Sequence, residues 1–147
     1  MTYNFMKFDD LDSLVPQNKF DVDALHRFSR NELDEKELAI LIPRLFSWIA
    51  DMNWPVAFPT IEILCRYQDF SIPLVEEHLG IQETDDELKY NLILYLLPRL
   101  PHKKQLSLLP LVQRIAFHPT EVEKFGSLEA AQIYLERGAT AETTSGN

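Results

Sequence analysis

Glycine is scarce in this sequence, and its scarcity argues against the common nucleotide-binding loops. The chain has only four glycines, and none of them occurs in a cluster: Gly80, Gly126, Gly138 and Gly146. A P-loop or a dinucleotide-binding loop needs several closely spaced glycines, so that the backbone can approach the phosphates. We therefore expect neither loop in this protein, and we predict no cofactor.

Cysteine and histidine are also too few or too scattered to indicate a metal or nucleophile site. A single cysteine, Cys65, cannot form an internal disulfide, which favours a protein kept in the reducing cytoplasm. Cys65 shares a helical face with Ile61 and Leu64, so we predict a small core residue there. No two histidines stand at metal-ligand spacing, and we predict no zinc site; they are His26, His78, His102 and His118. A Gly-x-Ser-x-Gly nucleophile motif is missing as well.

Long apolar runs are missing too. A helix that spans a bilayer needs about 18 consecutive apolar residues, whereas the run "NLILYLLP" is stopped by Pro98. The first ten residues, "MTYNFMKFDD", contain no continuous apolar segment and do not resemble a secretory signal. These features predict a cytoplasmic protein without a membrane partner.

Acidic residues, by contrast, are abundant and unevenly placed. The 23 acidic and 14 basic residues give a net charge of −9, and residues 51–90 hold nine acids against Arg66 and Lys89 alone. Residues 91–120 carry four basic residues and no acid. Such a surface repels nucleic acid over most of its length and attracts a basic partner at low salt. The alternative is that the acidity serves only solubility.

Apolar residues recur at spacings of three and four along most of the chain, and no long alternating pattern predicts a strand, so we predict an all-α fold. Residues 1–19 are expected to form an arm with about one helical turn, anchored by Phe5, Phe8, Leu11 and Leu14. A short helix should follow Asp21, and a longer one starts near Asp34. After the break "DMNWPVAFP", Asn53 is the predicted N-cap, with Trp54 and Pro55 in the first turn and a distortion at Pro59.

Three further helices are predicted in the second half. Thr84 and Glu87 should form a capping box before "ELKYNLILYLLPRL", and "KKQLSLLPLVQRIAFH" is the next helix. The last helix is capped by Ser127 and ends at Gly138. Residues 138–147 should be a disordered tail.

An internal repeat predicts how the helices are arranged. "LIPRLFSWI", "SIPLVEEHL" and "LLPLVQRIA" share a proline after an aliphatic residue, at Pro43, Pro73 and Pro110, with spacings of 30 and 37 residues. These spacings are close to a helical-repeat period. We predict a HEAT/ARM-like stack of about three helical hairpins plus an N-terminal helix, forming one domain over residues 20–137. The pairs are 38–50 with 55–68, 71–79 with 86–98, and 104–117 with 127–137.

No pattern of reactive residues identifies a reaction. The acids of "ETDDE" lie at a predicted helix N-terminus, where the helix dipole favours them; a partner-binding role does not conflict with that one. Glu62 and Arg66 are expected to form a solvated ion pair. Trp48 and Trp54 flank the break and are predicted to be core residues rather than a ligand platform. Two carboxylates could still perform acid and base chemistry if the fold brought them together.

Three stretches carry a resemblance to a known family: "LIPRLFSWIADMNWPVAFPTIEIL", "DDELKYNLILYLL" and "RIAFHPTEVE". They resemble a family of small bacterial proteins catalogued only as a domain of unknown function, whose most recognisable run is an Asp-Met-Asn-Trp-Pro-Val core, here Asp51 to Val56. The likeness covers roughly Leu14 to Arg137 and departs at Leu88, where an aromatic residue is expected. It implies an all-α, HEAT-like fold and brings no catalytic residues.

We therefore expect a non-catalytic protein-binding module, because helical-repeat arrays usually bind other macromolecules along one face. Its most concrete form is an acidic immunity protein that neutralises a basic bacterial toxin, such as a nuclease. The alternatives are a carboxylate-based enzyme and a structural scaffold. Seven residues are predicted to contact the partner: Asp51, Glu62, Glu83, Asp85, Asp86, Glu87 and Tyr90.

Overall fold

The protein is all-α in the computed structural model, which describes residues 8–145 and the side chains of residues 10–138. This confirms the predicted fold class, and no β-strand occurs within residues 8–145. The eight α-helices in this range are α1 (Phe8–Asp12), α2 (Val22–Arg30), α3 (Glu35–Leu45), α4 (Ala57–Arg66), α5 (Gln68–His78), α6 (Asp86–Asn91), α7 (His102–Phe117) and α8 (Ser127–Ser145). Short 3₁₀ helices cover Phe46–Ile49, Leu97–Arg99 and Glu123–Phe125, and a π-helix covers Leu92–Leu96.

The chain divides into two compact units, Met1–Ser71 and Ile72–Asn147, called unit 1 and unit 2 below. Within each unit, the packing of helices is compatible with helical hairpins. The organisation of residues 20–137 as one domain stays a prediction. No helix among the described residues has both the length and the apolarity to cross a membrane.

The described part of unit 1 begins with the short helix α1, which lies where about one helical turn was predicted. Leu11 and Leu14 are buried, whereas Phe5 and the side chain of Phe8 lie outside the described residues. The guanidinium of Arg44 on α3 pairs with the carboxylate of Asp12 at 2.7 Å. The predicted helix after Asp21 is α2, and the Asp21 carboxylate accepts a hydrogen bond from the Ala24 amide at its N-terminus.

Helix α3 starts with a capping box. The Asp34 carboxylate accepts from the Glu37 amide at 2.8 Å, and the Glu37 carboxylate accepts from the Asp34 amide at 2.9 Å. Each residue thereby satisfies an amide that has no partner inside the helix. Five of the six residues predicted on its apolar face are buried: Leu38, Leu41, Ile42, Leu45 and Ile49. The sixth, Trp48, is only partly buried.

The break after α3 is built differently from the prediction. Asn53 does not cap a helix; its amide instead donates to the Asp51 carboxylate at 2.9 Å, which makes a tight turn. Helix α4 begins only at Ala57, after Pro55. Pro59 is thus the third helical residue, where an amide would have no partner inside the helix, so its missing N–H costs little there.

The first predicted helix pair is present, because α4 packs against Phe46–Ile49 and α3. Helix α5 follows α4 after Tyr67 and begins at Gln68, three residues before the predicted start. The hydroxyl of Ser71, which is fully buried, donates to the Leu64 carbonyl at 2.8 Å and so ties the beginning of α5 to α4.

In unit 2, α8 is the helix on which the others pack. It packs against α7, as the third predicted pair requires, and also against α6 and the π-helix Leu92–Leu96. Helices α6 and Leu92–Leu96 make their most extensive contacts outside their own helical run with α8. The predicted pairing of residues 86–98 with 71–79 is not among these main contacts in the described residues, and residues 86–96 pack mainly against the last helix instead.

Two predicted helix ends in unit 2 are wrong. Asp85, not Thr84, caps α6, and its carboxylate accepts from the Leu88 amide at 3.0 Å. Helix α8 continues through Gly138 to Ser145, and Gly138 does not adopt the positive φ angle with which a glycine commonly ends a helix. The disorder predicted for residues 138–147 stays a prediction.

Candidate partner-binding surface

The seven predicted contact residues lie in both units. Asp51 and Glu62 belong to unit 1, and the other five belong to unit 2, around the start of α6. Their local surroundings differ: some carboxylates already accept hydrogen bonds inside the protein, and others are free. The engaged carboxylates offer a fixed negative charge, and the free ones can bond a partner directly.

Of the two predicted contact residues in unit 1, Glu62 is the one whose carboxylate is free to bind a partner. It is exposed on α4, and the predicted ion pair with Arg66 is absent from the described residues. The Arg66 guanidinium instead donates to the Ser29 carbonyl at 3.5 Å and lies 5.4 Å from the centre of the Tyr67 ring. The aromatic face competes with the carboxylate for this flexible cation, since both attract it. Asp51, in contrast, is engaged in its turn.

In unit 2, Glu83 is held in place before α6. Its carboxylate lies 2.5 Å from Nδ1 of His78 and accepts from the Asp85 amide at 3.1 Å. Partial burial acts to raise the pKa of Glu83, but the hydrogen bonds from His78 and from the backbone outweigh it and hold the pKa below its usual value. Glu83 is therefore a fixed negative charge at neutral pH.

Asp86 joins the start of α6 to the start of α8. Its Oδ1 accepts from the Ser127 amide at 2.9 Å and lies 2.5 Å from the Ser127 hydroxyl. Gly126 comes so close that an added Cβ would lie 2.9 Å from Oδ2 of Asp86 and 3.5 Å from the Tyr90 ring. Asp86 and Tyr90 are thus packed against the α6–α8 junction, and both are only partly exposed.

Glu87 is the free acid of this cluster. It is exposed in the first turn of α6 and has no hydrogen-bond or ion-pair partner in the described part of the chain. Asp85, beside it, is exposed but engaged as the cap of α6. The start of α6 therefore presents an acidic surface of which Glu87 is the freely available member.

Sequence reasoning missed a buried ionic cluster in unit 2, formed by Lys89, Glu123 and Arg114. The side chains of Lys89 and Glu123 are 0% exposed, and Nζ of Lys89 lies 2.5 Å from the Glu123 carboxylate. Arg114 binds both oxygens of the same carboxylate, one of them at 2.8 Å. One buried negative charge thus meets two positive charges.

The cluster holds the Glu123 carboxylate ionised. Burial alone would raise its pKa, but hydrogen bonds from Arg114, Lys89 and the Thr120 amide lower the pKa to about 2. The Thr120 amide donates to this carboxylate at 2.8 Å, and the Thr120 hydroxyl accepts from the Glu123 amide at 3.3 Å. Thr120 and Glu123 therefore form a capping box, and the "TEVE" pattern was a signal that could have identified it.

The two cations of the cluster also donate hydrogen bonds to backbone carbonyls. Lys89 donates to the Gly80 carbonyl at 2.8 Å, and Arg114 donates to the carbonyls of Leu79 at 2.9 Å and His118 at 3.4 Å. The connection between α5 and α6 and the connection between α7 and α8 are thereby joined to one carboxylate. Buried ion pairs of this kind add little net stability, but they can impose one conformation on the segments that they join.

Other candidate residues differ from the predictions. Trp48 and Trp54 are partly exposed rather than core residues, and they form an edge-to-face pair with ring centres 5.9 Å apart. Cys65 is also only partly buried.

In the described chain, no group of three or more His, Cys, Asp and Glu side chains is placed to hold a metal ion. A shallow cavity of about 290 Å³ is lined by the five residues 66–70.

Comparison with known proteins identifies a family but no activity. No curated protein matches the sequence. A family described as "Domain of unknown function (DUF5071)" matches residues 14–133, which include α2 to α7, the acidic surface at the start of α6 and the whole buried cluster. Since this match covers most of the chain, the protein belongs to the DUF5071 family.

Proposed function

We propose that this protein is a non-catalytic binding module, and that it is an acidic immunity protein that binds and neutralises a basic bacterial toxin, such as a nuclease. The observation that carries the proposal is the acidic surface at the start of α6, where Glu87 is free and its neighbours are fixed by hydrogen bonds. The proposal includes a cytoplasmic location in a bacterium, with Asp51 to Val56 as the recognisable core of the family.

The fixed acids favour binding by lowering its entropic cost. Glu83, Asp85 and Asp86 are already positioned by contacts within the protein, so a partner does not have to order them. Ionised carboxylates in such a surface attract a basic protein over a distance and raise its association rate at low salt. Tyr90, beside them, offers a partly exposed aromatic ring as a contact.

The net charge of −9 supports the same partner class. A basic toxin carries the complementary charge, and an inhibitor that covers it needs no chemistry of its own. Association of this kind is steered by the summed field of the protein and weakens as salt screens the charges. A salt-dependent association rate is therefore the expected kinetic signature.

The proposal is tested by identifying the partner and then measuring protection. The tagged full chain is used to capture partners from its native cell, and each captured protein is expressed with and without the chain. We expect a basic protein that inhibits growth when expressed alone and not when coexpressed. A captured partner that is acidic, or one whose growth inhibition is unaffected by the chain, contradicts the immunity function.

A further inference from the structure

Three large apolar side chains of unit 2 are strongly exposed. Ile81 is 62% exposed, Phe117 is 71% exposed and Phe125 is 88% exposed. Single exposed apolar residues are ordinary on protein surfaces, whereas a contiguous apolar patch usually marks a binding site. The arrangement of these three is therefore what matters.

All three lie next to a group that the buried cluster holds. Ile81 follows Gly80, whose carbonyl accepts from Lys89. Phe117 precedes His118, whose carbonyl accepts from Arg114. Phe125 stands two residues after Glu123 and ends the 3₁₀ helix that Glu123 begins. Lys89 and Arg114 thus tie the backbone beside Ile81 and Phe117 to the Glu123 carboxylate, and Phe125 follows Glu123 by two residues.

Acidic residues at the start of α6 lie beside the Phe125 end of this surface. Phe125 is directly followed by Gly126, where an added Cβ would lie 2.9 Å from the Asp86 carboxylate and 3.5 Å from the Tyr90 ring. The nearby Lys124 is paired with Glu121 at 2.8 Å, so its charge is matched. An apolar centre with an acidic edge fits a partner that surrounds an apolar anchor with basic residues.

We infer that Ile81, Phe117 and Phe125 form one docking surface for an apolar anchor of a basic protein, and that the Lys89–Glu123–Arg114 cluster holds this surface in its binding shape. The inference rests on the proposed function and adds the apolar contact to it. A second copy of the chain is a less favourable occupant, because it would bring the same acidic edge and a net charge of −9.

The test uses three labelled synthetic peptides of equal length as probes. One peptide combines Lys with Leu, the second combines Lys with Ser, and the third combines Glu with Leu. Their affinities for the full chain are measured by fluorescence anisotropy at low salt. We expect the Lys/Leu peptide to bind most tightly, the Lys/Ser peptide to bind weakly and the Glu/Leu peptide not to bind.

Variants then locate the binding surface. Phe125→Ser and Phe117→Ser should each weaken Lys/Leu binding about tenfold or more, as truncation of a central aromatic contact does. Phe20→Ser is the matched control, since Phe20 is 68% exposed but belongs to unit 1. Ile81→Ser should weaken binding less, because isoleucine offers a smaller contact area.

The outcomes separate this inference from the proposed function. If Glu87→Lys weakens Lys/Leu binding and the two phenylalanine variants do not, the docking surface is wrong and the acidic binding surface stands. If the phenylalanine variants weaken binding but neither Glu87→Lys nor added salt does, a basic partner is wrong. Failure of the Lys/Leu peptide to bind the unmodified chain also contradicts the inference, as does a dimer that Phe125→Ser converts to a monomer in sedimentation.

Discussion

The two units use the same local motif in opposite surroundings. In unit 1, Asp34 and Glu37 form a capping box on the surface, with both carboxylates near solvent. In unit 2, Thr120 and Glu123 form a capping box whose glutamate is completely buried and bonded to Lys89 and Arg114. A four-residue pattern therefore predicts which amides are satisfied, while the tertiary structure decides what the motif contributes to stability.

The largest expected effect on stability comes from substituting the glutamate of each capping box. Glu123→Gln removes the negative charge and leaves Lys89 buried without it, so we expect a loss of about 3–5 kcal/mol in the free energy of unfolding. Glu37→Gln should cost less than about 1 kcal/mol, because its box is exposed. Urea denaturation of both variants measures the difference, and similar losses would show that burial does not distinguish the boxes.

A double substitution sharpens the comparison. Lys89→Met combined with Glu123→Leu removes both buried charges, and we expect it to cost about 1–3 kcal/mol less than the sum of the two single changes. A double-mutant cycle by urea denaturation gives this coupling energy directly. The corresponding cycle on Asp34 and Glu37 is the control, for which a coupling below about 1 kcal/mol is expected. Equal couplings in the two units would contradict the account.

A smaller effect is expected when the pH is lowered, which should remove the stability that the buried capping box of unit 2 contributes. The pKa of Glu123 is about 2 in the folded protein, below its ordinary value of 4.5. A carboxyl with a lowered folded-state pKa contributes stability that is complete above its unfolded-state pKa and is lost as the pH falls toward the folded-state pKa. Between about pH 5 and pH 2, the unmodified chain should therefore lose stability more steeply than Glu123→Gln. Parallel curves in a denaturation series over this range would rule out a special role for Glu123.

The smallest effects concern two glycines of unit 2. At Gly126 an added Cβ would lie 2.9 Å from the Asp86 carboxylate, which Ser127 holds in place. Gly126→Ala should therefore destabilise the protein by about 1 kcal/mol. At Gly138 nothing lies within 4 Å of an added Cβ, and the residue is inside α8. Gly138→Ala should stabilise the helix by about 0.5–1 kcal/mol.

Thermal unfolding monitored by circular dichroism measures both glycine variants. Opposite shifts of the melting temperature are expected, with Gly126→Ala lower and Gly138→Ala higher. If Gly138→Ala has no effect, α8 does not continue past Gly138 in solution, and the disordered tail predicted from the sequence is favoured instead.

The features predicted well from the sequence are those that depend on near neighbours. Asp21 starts α2, and the apolar face of α3 is recognisable because capping and helical periodicity involve residues only a few positions apart. The break before α4 was located correctly, but Asn53 was wrongly predicted to cap the helix. Aspartate and asparagine both favour helix caps and tight turns, so the sequence did not show that Asp51 forms a turn with the Asn53 amide.

The buried cluster could not be predicted in the same way. Lys89 lies 34 positions from Glu123 along the chain, and lysine is almost never fully buried unless it is paired. Glu123 is brought to Lys89 only in the folded protein, where α6 packs against α8. The candidate acids show the same limit, because their sequence does not reveal that Asp86 is bonded to Ser127 while Glu87 is free.

The central claim is that the acidic surface at the start of α6 guides a basic protein partner to the chain. The most direct measurement is the association rate of the captured partner at low salt, by stopped flow, for Glu87→Lys and for its matched control Glu35→Lys. Both changes reverse one exposed acid in the first turn of a helix. We predict that Glu87→Lys slows association several-fold more than Glu35→Lys and that added salt removes the difference. Equal rates for the two variants would contradict the claim.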